Sequence, residues 1–211
     1  MPNYAHHTFE GGGVAIWHIT ESSDELYTLL ATHRYDVQLA DKKNEGRRAE
    51  WLAVRLLVKE LFGDDCEVAY HPTGRPYLKG SDIHISISHT KGYAAVAYHS
   101  TSPIGMDIEL ISSRVERIAS RFTSSEESAY IDSCEASERE MYHLINWSGK
   151  ETLYKLYDTP SLAEFKEVFR IAPYQLVEQG ALAAIVHHEE IPEQAMHYII
   201  FPEFVCTWAV L

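Results

Sequence analysis

The sequence predicts an α+β protein with helices beside a small, antiparallel sheet in each half of the chain. Several short segments alternate apolar and polar residues, and longer segments between them repeat their apolar residues at the helical period. Charge differs on either side of Pro103: residues 1–103 carry 10 basic and 13 acidic side chains, whereas residues 104–211 carry 8 and 18. Strands and helices are predicted on both sides of Pro103, so each half is expected to have its own sheet and helices.

The first half is predicted to contain strands at residues 14–19, 68–71, 83–89 and 93–99. Ser22 or Ser23 can cap a helix that runs to about Ala31. Apolar spacing indicates a second helix of about 18 residues that ends at Gly63. A turn at Lys91-Gly92 joins the last two strands.

The second half is predicted to contain strands at residues 104–110, 165–171, 181–187, 197–201 and 205–210. Two helices are predicted after the first of these strands, at about residues 124–131 and 137–157. Thr159-Pro160 is expected to end the longer helix. The division near Pro103 gives two expected domains, residues 1–103 and residues 104–211.

Composition and charge disfavour several classes of function. A net charge of −13 argues against a nucleic-acid partner. No segment approaches the roughly 18–20 apolar residues of a membrane span, and the first residues lack a signal-peptide pattern, so a cytoplasmic protein without a membrane partner is expected. The sequence contains no phosphate-binding glycine loop, serine-hydrolase elbow or His-Glu-x-x-His zinc motif.

Two acidic residues share one face of the strand predicted at residues 104–110. Strand alternation places Asp107 and Glu109 on one side, and Met106 and Ile108 on the other. Paired carboxylates repel each other unless a cation lies between them, and Mg²⁺ prefers such oxygen ligands. The alternative is the solvent-facing polar side of an edge strand.

A third carboxylate occurs near the end of the long helix predicted in the second half. Spacing of four places Trp147, Glu151 and Lys155 on one stripe. Glu151 could complete a magnesium site begun by Asp107 and Glu109. The alternative is an ordinary solvated Glu-Lys pair.

Candidate anion-binding residues lie in the first half. His89 emerges at the end of an apolar stripe and could donate to a phosphate together with the hydroxyls of Ser88 and Thr90. Arg75 projects from a turn, and Arg47 and Arg48 form a local basic cluster on an acidic chain. The alternatives are a structural histidine, a surface turn and a solvated helix face.

Five motifs occur in a fixed order along the chain. They are Gly74-Arg75-Pro76, Ser86-Ile87-Ser88-His89, Gly105-Met106-Asp107-Ile108-Glu109, Arg121-Phe122-Thr123-Ser124-Ser125-Glu126 and Trp147-x-x-Lys150-Glu151-x-x-x-Lys155. Together they resemble the 4′-phosphopantetheinyl transferase superfamily, surfactin-synthetase-activating type. The resemblance covers roughly residues 34–156, and Met106 and Thr152 depart from the residues that are more common in the family.

The resemblance implies a pseudo-dimer of two similar halves with the active site in the cleft between them. It also implies transfer of 4′-phosphopantetheine from coenzyme A to a serine of an apo acyl or peptidyl carrier protein, with release of adenosine 3′,5′-bisphosphate. The first half would bind the coenzyme A phosphates. The second half would hold the metal and dock the carrier, and a chain that contains both halves is expected to act as a monomer.

The resemblance also assigns roles to the candidate residues. Asp107, Glu109 and Glu151 would hold Mg²⁺, with Glu151 and Lys155 as the catalytic residues. Coenzyme A would be bound by Arg47, Arg48, Arg75, Ser88 and His89, and spacing does not decide which of the two adjacent arginines contacts phosphate.

Two other functions remain open from the sequence. One is a non-catalytic carrier-protein-binding module of the same fold, and the other is a magnesium-dependent nucleotide phosphoesterase. The resemblance implies that the carrier docks between Glu126 and Trp147, and we expect apolar contacts there to be more important than charge. The apolar side chains there are Tyr130, Ile131, Met141, Tyr142 and Leu144, and the alternative for them is ordinary helix core.

Overall fold

The structure, a computed structural model, describes residues 4–158, 165–187 and 193–211. The chain divides into two units, Met1–Ser102 and Pro103–Leu211. Both units combine helices with antiparallel strands, which confirms the mixed helix-and-strand class that the sequence predicts.

The first unit contains β1 (Tyr4–Phe9), β2 (Gly12–His18), α1 (Ser23–Leu30), α2 (Asp36–Ala40), α3 (Glu45–Phe62), β3 (Val68–Tyr70), β4 (Pro76–Leu78), β5 (His84–Thr90) and β6 (Tyr93–His99). Its main sheet is antiparallel, in the order β1-β2-β6-β5, and β3 and β4 form a separate pair. The α3 helix contacts β2 and β6, and its buried leucines form the core with Trp17 and Val96.

Local sequence explains the helix ends of this unit. Ser22 and Glu25 form a capping box at the start of α1, which confirms the predicted cap. The Asn44 side chain accepts a hydrogen bond from the Arg47 amide and caps α3. The 18 residues of α3 end at Gly63, whose φ of 92° suits glycine.

The second unit contains β7 (Ile104–Leu110), α4 (Arg114–Arg117), a 3₁₀ turn (Ala119–Arg121), α5 (Ser125–Ser133), α6 (Arg139–Tyr157), α7 (Phe165–Val168), β8 (Phe169–Ile171), β9 (Gln179–Val186), β10 (Glu193–Ile200) and β11 (Phe204–Val210). Its sheet is antiparallel in the order β7-β11-β10-β9-β8. The α6 helix packs on β7 and β11.

The two units repeat one pattern of strand pairing. In the first, β2 precedes the helices and pairs with β6, the last strand. In the second, β7 precedes the helices and pairs with β11, again the last strand.

The strand predicted at residues 165–171 is wrong over its first half. Phe165–Val168 forms a helical turn, and only Phe169–Ile171 forms a strand. The helical turn lets Phe165 and the first residue of the strand, Phe169, both enter the core, where their ring centres lie 5.9 Å apart. The strands β1 and β4 and the short helices α2 and α4 were not predicted. The turn predicted at Thr159-Pro160 lies outside the described residues.

Among the helices in the described ranges, none is both long enough and apolar enough to cross a lipid bilayer.

Candidate active site

Two of the predicted carboxylates lie side by side on β7, beside the strand β11. Asp107 is opposite Thr207, and Glu109 is opposite Val205. The Asp107 residue is 5% exposed and Glu109 is half-buried, whereas Met106 lies in the core. A solvent-facing polar edge is therefore wrong for Asp107, whose carboxylate needs partners within the protein.

A glycine allows α6 to approach β7 closely. A Cβ atom on Gly105 would lie 2.3 Å from the Thr152 carbonyl oxygen and 2.9 Å from the Leu156 amide nitrogen. Both are backbone atoms of α6, so any larger residue would have to push the helix away from the strand. Gly105 thus determines how near the side chains of α6 come to Asp107.

Side chains of α6 bind both oxygens of Asp107. The Lys155 ammonium donates to Oδ1 at 2.8 Å and to the Met106 carbonyl oxygen at 3.1 Å. The Ser148 hydroxyl donates to Oδ2 at 2.9 Å. The Asp107 carboxylate is thereby fixed in orientation by residues one helical turn before and one after Glu151.

A buried chain of hydroxyl groups supports this arrangement. Ser148 Oγ lies 2.9 Å from Thr207 Oγ1, which lies 2.7 Å from Thr152 Oγ1, and Thr152 also donates to the Thr207 carbonyl. Thr152 is fully buried, and its hydroxyl is satisfied by these contacts. The departure from the family pattern at this position is therefore accommodated by Thr207 on the facing strand.

Mutual repulsion and burial perturb two carboxyl groups of the cluster. Burial, followed by the charge of Asp107, raises the pKa of Glu109 to about 7. The same two causes raise the pKa of Glu151 to about 7, with a smaller contribution from Glu109, while Lys155 opposes the shift. Arg114 and, to a smaller extent, Lys155 oppose the shift at Glu109. The raised pKa values show that these cations do not fully offset the three carboxylates, so the cluster favours a proton or another cation.

The chemistry of this donor set suits a hard divalent cation. All three side chains offer carboxylate oxygens, and their excess negative charge is what Mg²⁺ neutralises. In the part of the chain that the structure describes, no three His, Cys, Asp or Glu side chains already have the arrangement of a metal site. The ammonium of Lys155 is the cation that lies beside Asp107, 2.8 Å from its Oδ1.

A second buried ion pair holds α6 one residue before Glu151. Lys150 is fully buried and donates to Glu127 Oε2 at 2.8 Å and to the Phe122 carbonyl oxygen at 2.6 Å. The Glu127 carboxylate also accepts hydrogen bonds from the amides of Ser124 and Ile171. One carboxylate thus joins α5, α6 and β8.

Within the first unit, the structure brings two of the predicted anion ligands together. Arg47 on α3 and His89 on β5 both contact Glu50: Arg47 Nη1 lies 3.2 Å and His89 Nδ1 3.3 Å from Glu50 Oε2. Arg47 Nη1 also lies 3.2 Å from His89 Nδ1. The side chain of Arg47 is 65% exposed, so its guanidinium group is accessible to solvent although it is paired with Glu50.

The other predicted anion ligands are Arg48, Arg75 and Ser88. Arg48 turns toward α1, where its Nε donates to Ser23 Oγ at 3.3 Å and its Nη2 lies 3.9 Å from Asp24. Arg75 lies in the turn between β3 and β4 and is half-buried, and Ser88 is buried on β5.

Several structurally important residues were not predicted as part of the site. Ser148 and Thr207 orient Asp107, and Glu50 joins Arg47 to His89. The position of Ser148, one turn before Thr152 on the motif-bearing helix, was the available signal in the sequence. Glu50 follows Arg47 by three residues on α3, a spacing that also signals their contact, whereas its contact with His89 depends on tertiary packing. Thr207 carries no such signal, because its contacts depend on strand pairing.

Burial answers the question left open for the predicted docking segment. Ile131, Tyr142 and Leu144 are at most 4% exposed and belong to the core. Helix core is therefore the correct interpretation for these three side chains, and they offer no docking surface. Tyr130 and Met141 are half-buried.

Comparison with known proteins places these residues in a family. A family model described as the 4′-phosphopantetheinyl transferase superfamily matches residues 103–208, half of the chain, and this range includes Asp107, Glu109, Glu151 and Lys155. The chain is 29% identical over 135 residues to the 4′-phosphopantetheinyl transferase AcpT of Salmonella typhi, a match that covers 62% of this chain and 70% of that protein. It is 30% identical over 91 residues to the protein of the same name from Salmonella typhimurium strain LT2, covering 43% and 47% of the two chains. The predicted enzyme class, a transferase, is confirmed, and the chain belongs to the 4′-phosphopantetheinyl transferase superfamily.

Proposed function

We propose that this enzyme transfers 4′-phosphopantetheine from coenzyme A to a serine hydroxyl of an apo acyl or peptidyl carrier protein and releases adenosine 3′,5′-bisphosphate. The observation that carries the proposal is the carboxylate cluster of the second unit. There Lys155 is bonded to Asp107, and Glu151 and Glu109 have raised pKa values, all within the segment that matches the family.

The reaction breaks one phosphoanhydride bond and forms one phosphate ester. The serine oxygen attacks the phosphorus nearer to pantetheine, the bond from that phosphorus to the bridging oxygen breaks, and the nucleotide leaves with the bonding electron pair. The serine proton must go to a base, and the negative charge on the pyrophosphate must be offset.

Glu151 is the proposed base. Without a bound cation, burial and the neighbouring carboxylates raise the pKa of its side chain to about 7, which suits a group that takes up a proton near neutral pH. A divalent cation held by the same carboxylate would lower this pKa. Glu151 accepts the serine proton directly or through one water molecule.

Lys155 is proposed to act on negative charge. Its ammonium lies one helical turn after Glu151 and is held by Asp107 and the Met106 carbonyl, so it is fixed before substrate arrives. A fixed cation stabilises developing charge on the leaving phosphate without reorganising during the reaction.

Asp107, Glu109 and Glu151 are proposed to hold Mg²⁺. When bound, the metal would neutralise the pyrophosphate of coenzyme A and polarise the phosphorus that is attacked. This role is supported by the all-oxygen donor set and its excess negative charge.

In the first unit, Arg47 and His89 are the proposed contacts to the coenzyme A phosphates. Their shared contact with Glu50 and the exposure of Arg47 favour Arg47 over Arg48, which is bonded to Ser23. Arg75 and Ser88 are proposed as further coenzyme A contacts, on the motif resemblance alone.

The two units are proposed to be the halves of a pseudo-dimer that serve one reaction. The repeated pairing of the strand before the helices with the last strand of each unit supports this. The carrier is proposed to dock on the second half. A monomeric state and a cytoplasmic location remain predictions.

The test is the intact mass of an apo carrier protein after incubation with the enzyme, coenzyme A and Mg²⁺. We expect the carrier to gain the mass of one phosphopantetheine group, with an equal amount of adenosine 3′,5′-bisphosphate released and no reaction after chelation of the metal. Consumption of coenzyme A without modification of any carrier would identify a phosphoesterase instead. Binding of coenzyme A without turnover on several carriers would identify a non-catalytic module.

A further inference from the structure

A pocket of about 260 Å³ lies within the first unit, between the end of α1, the segment that follows it, and the C-terminal half of α3. Its lining includes Leu30, Tyr35 and Cys66, together with three basic side chains. None of its lining residues belongs to the proposed transfer site.

The positive charge of the pocket exceeds its negative charge. Arg34, Arg55 and Lys59 line it, and Asp64 is the acidic residue in its lining. Asp64 is already paired, because its carboxylate lies 3.0 Å from Lys59 Nζ. Two arginines therefore remain without a carboxylate of the lining to balance them.

Arg55 is buried without an acidic partner. The residue is 4% exposed, and within the described ranges no carboxylate lies at ion-pair distance from its guanidinium group. The guanidinium carbon lies 3.5 Å from the centre of the Trp51 ring, and its Nη atoms donate to the Trp51 carbonyl and the Tyr70 hydroxyl. Its Nε has no hydrogen-bond partner among the described residues. A buried cation with an unused donor is costly to the fold unless an anion approaches it.

The pocket also differs from the proposed phosphate contacts in its position along α3. Arg55 and Lys59 follow Arg47 by two and three turns of the helix, which corresponds to roughly 12–18 Å along its axis. A ligand small enough for the pocket would not reach from Arg55 to the cluster of Arg47 and His89.

We propose that this pocket binds a small organic anion, a carboxylate or a phosphate monoester, whose charged group is held by Arg55 and Arg34. Leu30 and the ring of Tyr35 supply apolar walls for the rest of the ligand. This site goes beyond the transfer reaction and does not depend on it.

The test uses benzoate and phenyl phosphate as probes, with neutral benzamide and sodium chloride of equal ionic strength as controls. Occupancy is read from the rate at which iodoacetamide alkylates Cys66, with Cys134 as an internal reference because it is also half-buried but lies in the second unit. The melting temperature provides a second, independent readout.

We expect the anionic probes to slow alkylation of Cys66 severalfold and to raise the melting temperature, and the tighter of the two probes identifies carboxylate or phosphate as the preferred group. Arg34→Gln should raise the probe concentration for half-protection by about tenfold or more, since a charge-assisted hydrogen bond is lost. The control Lys91→Gln removes an exposed charge outside the pocket and should change nothing.

Three results would overturn the proposal. One is the absence of any probe effect on both Cys66 and the melting temperature. The second is equal protection by benzamide. The third is loss of protection in an Arg47→Gln/His89→Gln variant, which would assign the bound anion to the proposed coenzyme A contacts.

Discussion

Lys155 Nζ lies 2.8 Å from Asp107 Oδ1 and 3.1 Å from the carbonyl oxygen of the preceding residue, so one side chain of α6 is bonded to both the carboxylate and the backbone of β7. These contacts fix the position of α6 relative to β7 at Asp107 and Lys155, the two residues that the proposed chemistry requires. They also mean that Asp107 keeps its orientation in the absence of substrate.

Replacing Lys155 with methionine should reduce kcat for transfer by roughly 10²–10³, because the fixed positive charge proposed to stabilise the leaving phosphate is lost. Lys155→Arg should recover part of the rate, since the charge is retained. The matched control is Lys166→Met, which removes an exposed lysine of the same unit. A Lys155→Met enzyme with a kcat within twofold of wild type, measured by carrier modification, would contradict the role given to this ammonium.

Gly105→Ala should destabilise the second unit by about 1–3 kcal/mol, the usual cost of an overpacked contact. The added methyl group would lie 2.3 Å from a backbone oxygen of α6. Gly149→Ala is the control, because the nearest atoms to its Cβ are side-chain carbons at 3.4 and 3.6 Å, and alanine favours a helix. The free energy of unfolding of each variant is measured by denaturant titration. Equal values for the two variants would show that the close approach of α6 to β7 is not constrained by Gly105.

Lys150→Met should reduce the free energy of unfolding by about 3–5 kcal/mol, because Glu127 would be left buried without its cation. Both side chains of this pair are fully buried. Lys150 has a structural role and no proposed contact with substrate, so any folded fraction of the variant should keep its affinity for coenzyme A. A loss below about 1 kcal/mol in urea titrations would mean that the pair contributes no more than an exposed one.

His143 should make the protein less stable at mildly acidic pH. Burial lowers the pKa of this histidine below 6.5, although Glu116 and Asp132 oppose the shift, and its Nδ1 is buried without a hydrogen-bond partner among the described residues. The unfolded chain therefore binds more protons than the folded one between the folded pKa and about 6.5, and stability falls as the pH decreases through this window.

The contribution of His143 can be measured by comparing His143→Gln with wild type in urea at pH 7.5 and 5.5. The variant should lose less stability over this interval, by at most about 1.4 kcal/mol per pH unit, the limit for one proton. His18→Gln removes an exposed histidine and should follow wild type. Parallel curves for all three proteins would argue against a depressed pKa at His143.

Local patterns were sufficient for the parts of the fold that depend on neighbours in sequence. The cap at Ser22, the end of α3 at Gly63 and the shared face of Asp107 and Glu109 all follow from residues a few positions apart. The strand prediction for residues 165–171 was wrong over Phe165–Val168, because phenylalanine and valine favour strands whereas this segment forms a helical turn.

Features of the site that depend on tertiary packing were not predictable in the same way. Spacing could not choose between the adjacent Arg47 and Arg48, whereas the contacts with His89 and Ser23 separate them. Lys150 carries a charge, and charge ordinarily indicates a surface residue, yet it is fully buried because Glu127 lies on the helix packed against it. Thr152 similarly gains its partner only when β11 is in place.

The most direct test of the account is the rate of carrier modification by Glu151→Gln, measured under single-turnover conditions with saturating coenzyme A and Mg²⁺. The glutamine preserves shape but can neither accept the serine proton nor offer a carboxylate to the metal, so we expect a rate lower by roughly 10²–10⁴, with coenzyme A still bound and the fold intact. Glu167→Gln, an exposed substitution in the same unit, should match wild type. A Glu151→Gln enzyme that modifies its carrier at nearly the wild-type rate would contradict the assignment of the base and, with it, the proposed active site.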